Sequence, residues 1–308
     1  MNFRASQFFQ SVKLEHCRVQ YPKDVIFLCG GLLNEASLTL KSLRDFLHKN
    51  HKDIFGQSQI ILAERAAAEF DARIFDDLLE LERQIASISR IVMLVSESPG
   101  SIAELGAFSQ IDEIRLKLLV FIHSNHYSAN SFIKYGPIRY LENTNQKSVQ
   151  EFDWQKNNRG NLTLESTQRH LASFKSAADS FLKSLPQAES FKVDNVGHCI
   201  MLIAGVIFTL RCCKLREVVE ATKLLGLEFT ESRIKQYIFC LKLVGWLKLV
   251  KRDVQYHIYV ADRSPIVFRG PGPISDFARF DPVRVRYDIL QSYEKDDPRL
   301  TVLDSVAT

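Results

Sequence analysis

The feature that most constrains the fold is an uninterrupted apolar run, Ile91 to Val95, that leads directly into a turn and a helix start. A strand without apolar–polar alternation is typical of a parallel sheet that is covered on both faces. Similar runs occur at Val25–Cys29, Ile60–Ala63 and Leu118–His123, with helical patterns between them. This order predicts an α/β domain, a Rossmann-like parallel sheet with helices on both faces.

Apolar residues spaced by three and four positions fill most of the segments between and after these strands. We predict helices over Asn34–Asn50, Ala66–Ala86 and Leu164–Leu185, the acids of the second lying on a solvated face. Gly136–Leu141 is predicted as a turn with a short strand, and Gln146–Asn161 as a polar loop. These elements assign residues 1–186 to one domain.

The turn after Val95 has the composition of a phosphate-binding loop. Its sequence is Ser98–Pro99–Gly100–Ser101–Ile102–Ala103–Glu104–Leu105–Gly106. Ser101 stands three residues before Glu104, which is the spacing of a helix N-cap and its partner carboxylate. A strand-to-helix loop directs backbone N–H groups at one spot, so we expect Ser98, Gly100 and Ser101 to bind a phosphate.

Three glycines are candidate positions for close ligand approach, because glycine has no side chain to exclude a ligand. Gly30 and Gly31 follow the first strand, and Gly106 follows Glu104 by two residues. In a doubly wound sheet, ligands bind at the carboxyl edge, where such loops lie. Gly30–Gly31 lacks the GxGxxG spacing of a dinucleotide site, so a tight strand-to-helix turn is an equal alternative.

Glu104 has two interpretations. It is either the carboxylate of a capping box, accepting from the N–H of Ser101, or a group that does chemistry on a phosphorylated ligand. No strong general acid accompanies it, since Glu64 and Glu97 each fit an ordinary surface or strand-end acid better. The histidines show no metal-ligand spacing, so no metal site is predicted.

A second domain is predicted over residues 196–262, after a linker at 187–195. Its predicted elements are, in order, helices Gly197–Leu210, Lys214–Leu225 and Thr230–Leu243 and strands Trp246–Val250 and Tyr256–Ala261. This order suggests a winged helix-turn-helix domain. The basic residues that could contact nucleic acid or a partner are Arg233, Lys235, Lys242, Lys248, Lys251 and Arg252.

The third of these helices also has two interpretations. Its basic residues suit duplex nucleic acid, whereas the apolar residues Ile238, Phe239, Leu241 and Val244 suit docking to a protein. The formal net charge of +4 permits both.

Residues 263–308 are predicted as an extended C-terminal arm, because prolines interrupt any continuous pattern. Arginines such as Arg269 and Arg279 alternate with aromatics such as Phe268 and Phe277, which suits an arm that lies on another molecule. A tail that packs on its own domain is an equal alternative.

Composition indicates a cytoplasmic protein with no membrane segment. The six cysteines form no CxxC pair and lie mostly in apolar runs, as buried thiols of a reducing cytosol do. The N-terminus is not followed by a signal-peptide core. The most apolar segment, Gly197–Leu210, is too short to span a bilayer.

The segment Ser98–Gly106 resembles the catalytic segment of nucleoside deoxyribosyltransferase-like proteins, and Phe27–Gly31 resembles their first strand and glycine loop. The resemblance implies that Glu104 attacks the anomeric carbon of a nucleoside. Sugar-transferring members often keep an Asp at the end of the strand before this segment, where this sequence has Ser96 and Glu97.

Over nearly its whole length, the chain resembles effector subunits of bacterial retron anti-phage systems, which join such a domain to a winged helix. The resemblance implies two partners, the retron reverse transcriptase and its msDNA (a single-stranded DNA–RNA hybrid), in a higher-order assembly. It also implies a toxic depletion of a nucleotide pool.

The missing general acid favours NAD⁺ as the substrate. A neutral purine must be protonated to leave well, whereas the nicotinamide of NAD⁺ already carries the positive charge. We therefore expect hydrolysis of NAD⁺ to nicotinamide and ADP-ribose by a Glu nucleophile, with no separate cofactor. The alternative is a DNA-binding regulator that senses a nucleotide without cleaving it.

Overall fold

The computed structural model describes residues 1–21, 24–261, 263–271, 280–294 and 297–307. Its strands are β1 (Arg18–Gln20), β2 (Val25–Cys29), β3 (Gln59–Leu62), β4 (Ile91–Ser96), β5 (Leu118–His123), β6 (Val149–Phe152), β7 (Ala188–Ser190), β8 (Cys212–Cys213), β9 (Leu247–Lys251), β10 (Gln255–Tyr259) and β11 (Ile266–Val267).

Its α-helices are α1 (Phe3–Ser11), α2 (Leu43–Lys49), α3 (His51–Phe55), α4 (Ala63–Ala68), α5 (Leu78–Ile88), α6 (Pro99–Ser109), α7 (Asp112–Arg115), α8 (Ser124–Ser128), α9 (Arg139–Thr144), α10 (Leu164–Gln168), α11 (Leu171–Ser184), α12 (Val196–Leu210), α13 (Leu215–Leu224), α14 (Glu231–Leu243), α15 (Pro282–Gln291) and α16 (Pro298–Ala307). A 3₁₀ turn covers Leu14–His16 and a π-helical turn covers Lys134–Ile138.

The chain forms two compact units that are not separated at a single point. The first, here called the sheet unit, consists of Lys23–Ala68 and Ile85–Pro186. The second, here called the helical unit, consists of Met1–Pro22, Glu69–Gln84 and Gln187–Thr308. Two segments of the predicted domain 1–186 thus belong to the same unit as the C-terminal residues: Met1–Pro22 and Glu69–Gln84.

The sheet unit is built on a five-stranded sheet in the order β3-β2-β4-β5-β6, and every neighbouring pair in it is parallel. All residues of β2 and β4 are buried, as expected of strands that are covered on both faces. The predicted parallel α/β sheet is confirmed. The strand order reverses between β2 and β4, and ligands bind at such switch points in open α/β sheets.

The fifth strand was not predicted. β6 lies inside the segment predicted as a polar loop, and Gly136–Leu141 forms part of the π-helical turn and of α9 instead of a strand. β6 is a short edge strand that buries only Val149 and Phe152, so its sequence carries little strand pattern.

The predicted helix Ala66–Ala86 is wrong, because α4 ends at Ala68 and α5 begins only at Leu78. The carbonyl of Asp71 accepts from the N–H groups of Ile74 and Phe75, and its carboxylate accepts from Arg73. These bonds form a local turn in place of a helix.

The other two predicted helices of this region are shorter or divided. The helical part of Asn34–Asn50 starts only at α2, where the Ser42 side chain accepts from the Asp45 N–H as the N-cap. Leu164–Leu185 is divided into α10 and α11.

The helical unit contains a three-stranded antiparallel sheet in the order β8-β10-β9, together with α12, α13 and α14. The three predicted helices and two predicted strands are present, and Thr230 caps α14 by accepting from the Arg233 N–H. A second sheet has the order β11-β1-β7. β7 therefore lies inside residues 187–195, which were predicted as a linker.

The prediction of an extended arm over residues 263–308 is wrong for the residues that the structure describes. α15 buries Val285 and Ile289, and α16 buries Val302, so this tail packs on its own unit. Burial of these apolar side chains stabilises helices where the prolines suggested none. Phe277 and Arg279 lie outside the described residues.

All six cysteines are buried thiols, as predicted, and none forms a disulfide. Burial raises the pKa of Cys17 to about 11 and that of Cys199 to about 12, which keeps both thiols protonated. None of the helices in the described ranges has the length and hydropathy needed to cross a membrane.

His257 is a buried histidine on β10 that titrates far from its usual pH. It is 4% exposed, and its Nδ1 atom finds no hydrogen-bond partner among the described residues. Burial disfavours the imidazolium and lowers the pKa of His257 from 6.5 to about 4. The folded protein therefore keeps this imidazole neutral.

We predict that His257→Leu removes a pH dependence of stability. As the pH falls below 6.5, His257 takes up a proton in the unfolded chain, whereas in the folded chain it stays neutral until about pH 4. The stabilising contribution of neutral His257 is fully present above that window and is lost across it, by about 3 kcal/mol. Urea denaturation over this pH range measures the loss. His126→Leu, at an exposed position, is the control, and an equal loss in wild type and His257→Leu would contradict the prediction.

Candidate functional site

Four residues named in the sequence analysis lie together in the sheet unit, at the switch point between β2 and β4: Gly30, Gly31, Glu97 and Ser98. The hydroxyl of Ser98 donates to the carbonyl of Gly30 at 3.3 Å. The N–H of Gly31 donates to Oε1 of Glu97 at 3.2 Å. The two loops that the sequence places at the ligand-binding edge are therefore bonded directly to each other.

Helix α6 begins earlier than the sequence suggested. Ser98 is its N-cap, Pro99 is its first residue, and Ser98 and Ser101 form the capping box. The Ser98 hydroxyl accepts from the Ser101 N–H at 3.2 Å, and the Ser101 hydroxyl accepts from the Ser98 N–H at 2.9 Å. The prediction that Ser101 is the N-cap with Glu104 as its partner is wrong, because Pro99 suits the first helical position and Ser98 supplies the cap.

Glu104 is consequently not the capping carboxylate. It lies half-buried on α6, one turn beyond Ser101, and α6 packs on β4. Of the two interpretations of Glu104, the capping role is contradicted. Its position at the switch-point end of the sheet is compatible with the chemical role.

Gly106 does not share a side of α6 with Glu104. Residues two positions apart in an α-helix point about 160–200° apart. Gly106 is exposed, and a Cβ added to it would meet nothing within 4 Å. The structure therefore does not bring Gly106 together with Glu104.

The first turn of α6 offers fewer N–H groups than the sequence suggested. Pro99 has none, and the N–H of Ser101 is used by the Ser98 hydroxyl. Within the described contacts of this turn, the N–H of Gly100 is left to face a ligand. A phosphate bound here would need further hydrogen-bond donors from the loops that follow β2 and β4.

Gly30 and Gly31 are required by the packing of the protein itself. A Cβ on Gly30 would lie 2.9 Å from Cβ of Arg44, and the φ angle of Gly30 is +154°. A Cβ on Gly31 would lie 2.8 Å from Cβ of Ser42 and 3.0 Å from Cδ of Glu97. This close approach explains both glycines, but they do not form a tight strand-to-helix turn, because β2 ends at Cys29 and α2 begins only at Leu43.

Glu97 joins three chain segments through its carboxylate. Its Oε1 accepts from the N–H groups of Gly31 and Arg44, and its Oε2 accepts from the N–H of Leu43 at 2.9 Å. Burial raises the pKa of Glu97, and the backbone donors of Arg44, Leu43 and Gly31 oppose that rise. The sequence indicated only a strand-end acid, because its partners at the start of α2 are far away in the chain.

Arg44 is a second residue that the sequence analysis missed. Its buried guanidinium donates to the carbonyls of Leu28 and Gly31 and forms a bidentate ion pair with Glu64, which follows β3. An arginine within an amphipathic helix pattern gives no signal of such a role. The pair links the carboxyl ends of β2 and β3.

The six basic residues predicted to contact nucleic acid or a partner do not form one equivalent set. Arg233 pairs with Glu80 at 3.0 Å, and Lys235 pairs with Glu231 at 2.6 Å within α14. The other four are exposed and form no ion pair with any described residue; they are Lys242, Lys248, Lys251 and Arg252. The structure thus separates two ion-paired cations, themselves 43% and 53% exposed, from four that pair with no described residue.

The apolar end of α14 is largely core. Ile238, Leu241 and Val244 are buried. Phe239 packs edge-on against Phe75, with ring centroids 5.5 Å apart, inside the helical unit. This packing accounts for the apolar sequence without a docked protein.

Comparison with known proteins adds three findings. Residues 40–249 match the family described as STM3845 retron effector protein. Two similar Escherichia coli proteins are named as ribosyltransferase/DNA-binding proteins, of retrons Ec86 and Ec73. The first is 36% identical over 137 residues, covering 41% of this chain and 40% of the relative. The second is 27% identical over 283 residues, covering 83% of this chain and 84% of the relative.

We predict that Glu97→Gln destabilises the fold. The new amide nitrogen would face backbone N–H donors that now bond to a carboxylate oxygen, which leaves buried donors unsatisfied. The expected loss in the free energy of unfolding at neutral pH is about 1–3 kcal/mol, measured by urea denaturation. Glu151→Gln, an exposed position on β6, is the matched control. Equal stability of the two variants would show that the Glu97 contacts contribute little.

Proposed function

The chain belongs to the STM3845 retron effector family, and we propose that it acts as a toxic anti-phage effector that cleaves the N-glycosidic bond of a nucleotide. The family supports the retron role, in agreement with the resemblance in the sequence. The relatives' printed names support chemistry at a ribosyl carbon. NAD⁺ is the substrate that we favour, with nicotinamide and ADP-ribose as products.

The observation that carries this proposal is the position of Glu104. Ser98 and Ser101 complete the cap of α6 between themselves, so Glu104 has no capping role. It stands on the helix that leaves the sheet at the switch point, where α/β ligands bind. A half-buried carboxylate at this position suits a nucleophile.

In the proposed step, a carboxylate oxygen of Glu104 forms a bond to C1′ of the ribose as the bond from C1′ to the nicotinamide nitrogen breaks. The electron pair of the breaking bond neutralises the pyridinium charge, and nicotinamide leaves without taking up a proton. Water then attacks C1′, the ester bond to Glu104 breaks, and one proton is released. The carboxylate is regenerated and no oxidant or reductant is consumed.

The contacts of the two acids considered as proton donors support NAD⁺ over a purine nucleotide. The Glu97 carboxylate accepts three backbone N–H groups, and Glu64 accepts both Nη groups of Arg44. Burial favours a proton on Glu97, but a proton there would compete with the N–H groups that its oxygens now accept, so these contacts oppose its use as a proton donor to a leaving base. A substrate with a charged leaving group needs no such donor.

The substrate-binding residues remain part of the proposal. Gly100, through its N–H, and Ser98 would contact the phosphates, while the buried Ser101, also expected at this site, caps the turn that presents them. Gly30 and Gly31 would shape the neighbouring loop. Gly106 lies on a different side of α6 from Glu104. It would therefore contact a different part of the substrate than Glu104 does. NAD⁺ is the substrate here, and the proposal includes no resident cofactor or metal.

The helical unit would bind the retron partners, the reverse transcriptase and its msDNA, in a higher-order assembly. The chain order α12-β8-α13-α14-β9-β10 is the order of a winged helix, with β9–β10 as the wing. The names of the two Escherichia coli relatives include DNA binding, which supports a nucleic-acid partner for this chain.

We predict that Glu104→Gln abolishes nicotinamide release. The protein, alone and reconstituted with the reverse transcriptase and msDNA, is incubated with NAD⁺ and separately with purine nucleotides, and the products are measured by mass spectrometry. Loss of the nucleophile should lower the rate by on the order of 1,000-fold or more.

Glu151→Gln is the control and should retain the wild-type rate. Equal turnover by wild type and Glu104→Gln would contradict the role of Glu104. Release of a purine base instead of nicotinamide would contradict the choice of substrate. Nucleotide binding without any product would favour the nucleotide-sensing regulator.

A further inference from the structure

The segment Glu69–Gln84 lies between β3 and β4 in the chain, but it packs on α14 within the helical unit. Nη1 of Arg233 donates to Oε1 of Glu80 at 3.0 Å. Nε2 of Gln236 donates to the carbonyl of Ile74 at 2.9 Å. These two side chains, long polar groups in the first two turns of α14, thus already have partners within the protein.

A fully buried glutamine completes this contact. Gln84 is 0% exposed, and its Nε2 donates to Oε1 of Glu80 at 3.0 Å and to Oε1 of Gln236 at 3.3 Å. Phe75, 1% exposed, packs against Phe239 one turn further along α14. Separating the segment from α14 would unpair buried polar groups and expose an aromatic ring, both of which are unfavourable.

This packing has a consequence for nucleic-acid recognition. A helix reads sequence in the major groove through side chains such as Arg and Gln that reach the base edges. In α14, Arg233 and Gln236 already have partners, and Lys235 is paired with Glu231 on the same helix. Arg233 and Lys235 remain 43% and 53% exposed, but to reach a base edge each would have to give up its carboxylate partner, and Gln236 would have to give up the Ile74 carbonyl.

Four of the six predicted cations form no ion pair with a described residue, and three of these four belong to the β9–β10 hairpin. Lys248 and Lys251 are on the edge strand β9, Arg252 is in the turn that follows, and Lys242 is near the end of α14. Asp253 is the acid within that turn. Exposed cations on a hairpin suit the phosphate backbone, which carries no sequence information.

We infer that this chain binds the phosphate backbone of duplex nucleic acid through the β9–β10 hairpin and Lys242, while the contacts of Arg233 and Gln236 with the segment Glu69–Gln84 keep these two side chains of α14 from reading bases. The inference rests on the nucleic-acid partner proposed above and specifies its surface. Binding is consequently independent of base sequence and strongly dependent on salt.

The test measures binding of the full chain to several unrelated DNA duplexes of about 20 base pairs by fluorescence anisotropy over a range of salt concentrations. Wild type should bind all of them within about threefold of one another. The triple variant Lys248→Gln/Lys251→Gln/Arg252→Gln should bind at least about 10-fold more weakly, with a salt slope smaller by about 2–3.

Two further variants test the surface. Lys147→Gln/Lys175→Gln/Lys183→Gln removes three exposed lysines of the sheet unit and should bind as wild type does. Arg233→Gln removes the α14 cation that is paired with Glu80 and should change the affinity by less than about threefold.

The inference is overturned if the hairpin variant keeps wild-type affinity, if Arg233→Gln weakens binding as much as the hairpin variant, or if wild type prefers one duplex by more than about 100-fold. If wild type binds no duplex, the inferred surface fails. Binding of msDNA in the same assay tests the proposed nucleic-acid partner separately. The nicotinamide-release assay reports separately on the proposed catalysis.

Discussion

The candidate site depends on the three backbone N–H groups that Glu97 accepts. A buried carboxylate is costly unless its charge is compensated, and here the N–H groups at the start of α2 and in the loop after β2 compensate it. The N–H of Glu97 also donates to the Ser101 hydroxyl, inside the cap of α6. One residue therefore joins both loops of the switch point to two helix starts, and the position of Glu104 on α6 follows from this arrangement.

Glu97 also bears on the resemblance to sugar-transferring enzymes. Those proteins often have an Asp near the base, where this chain has Ser96 and Glu97. The Glu97 carboxylate is turned toward the start of α2, and Glu64 is turned toward Arg44. Both acids that the sequence suggested as proton donors thus stabilise the loops instead. This arrangement favours chemistry that needs a nucleophile and no proton donor.

The helical unit shows how non-local packing changes the meaning of a motif. The basic and apolar residues of α14 suggested either nucleic-acid binding or protein docking. Both sets are largely engaged within the unit, through Glu80, Ile74 and Phe75 of the segment Glu69–Gln84 and through the core. Two of the α14 cations, Arg233 and Lys235, are ion-paired, whereas Lys242 and the hairpin cations pair with no described residue.

The sequence by itself determined the parallel sheet, the helix order of the C-terminal unit and the buried thiols, because each depends on local hydrophobic pattern and caps. The same local rules failed where another serine and a proline could begin α6 earlier, and where Asp71 formed a turn inside an apparent helix. Only the tertiary structure decided which residues cap α6, which acid holds a loop and which cations form ion pairs. These outcomes depend on hydrogen bonds and ion pairs between residues far apart in the chain, and such pairings leave no periodic signal in a sequence.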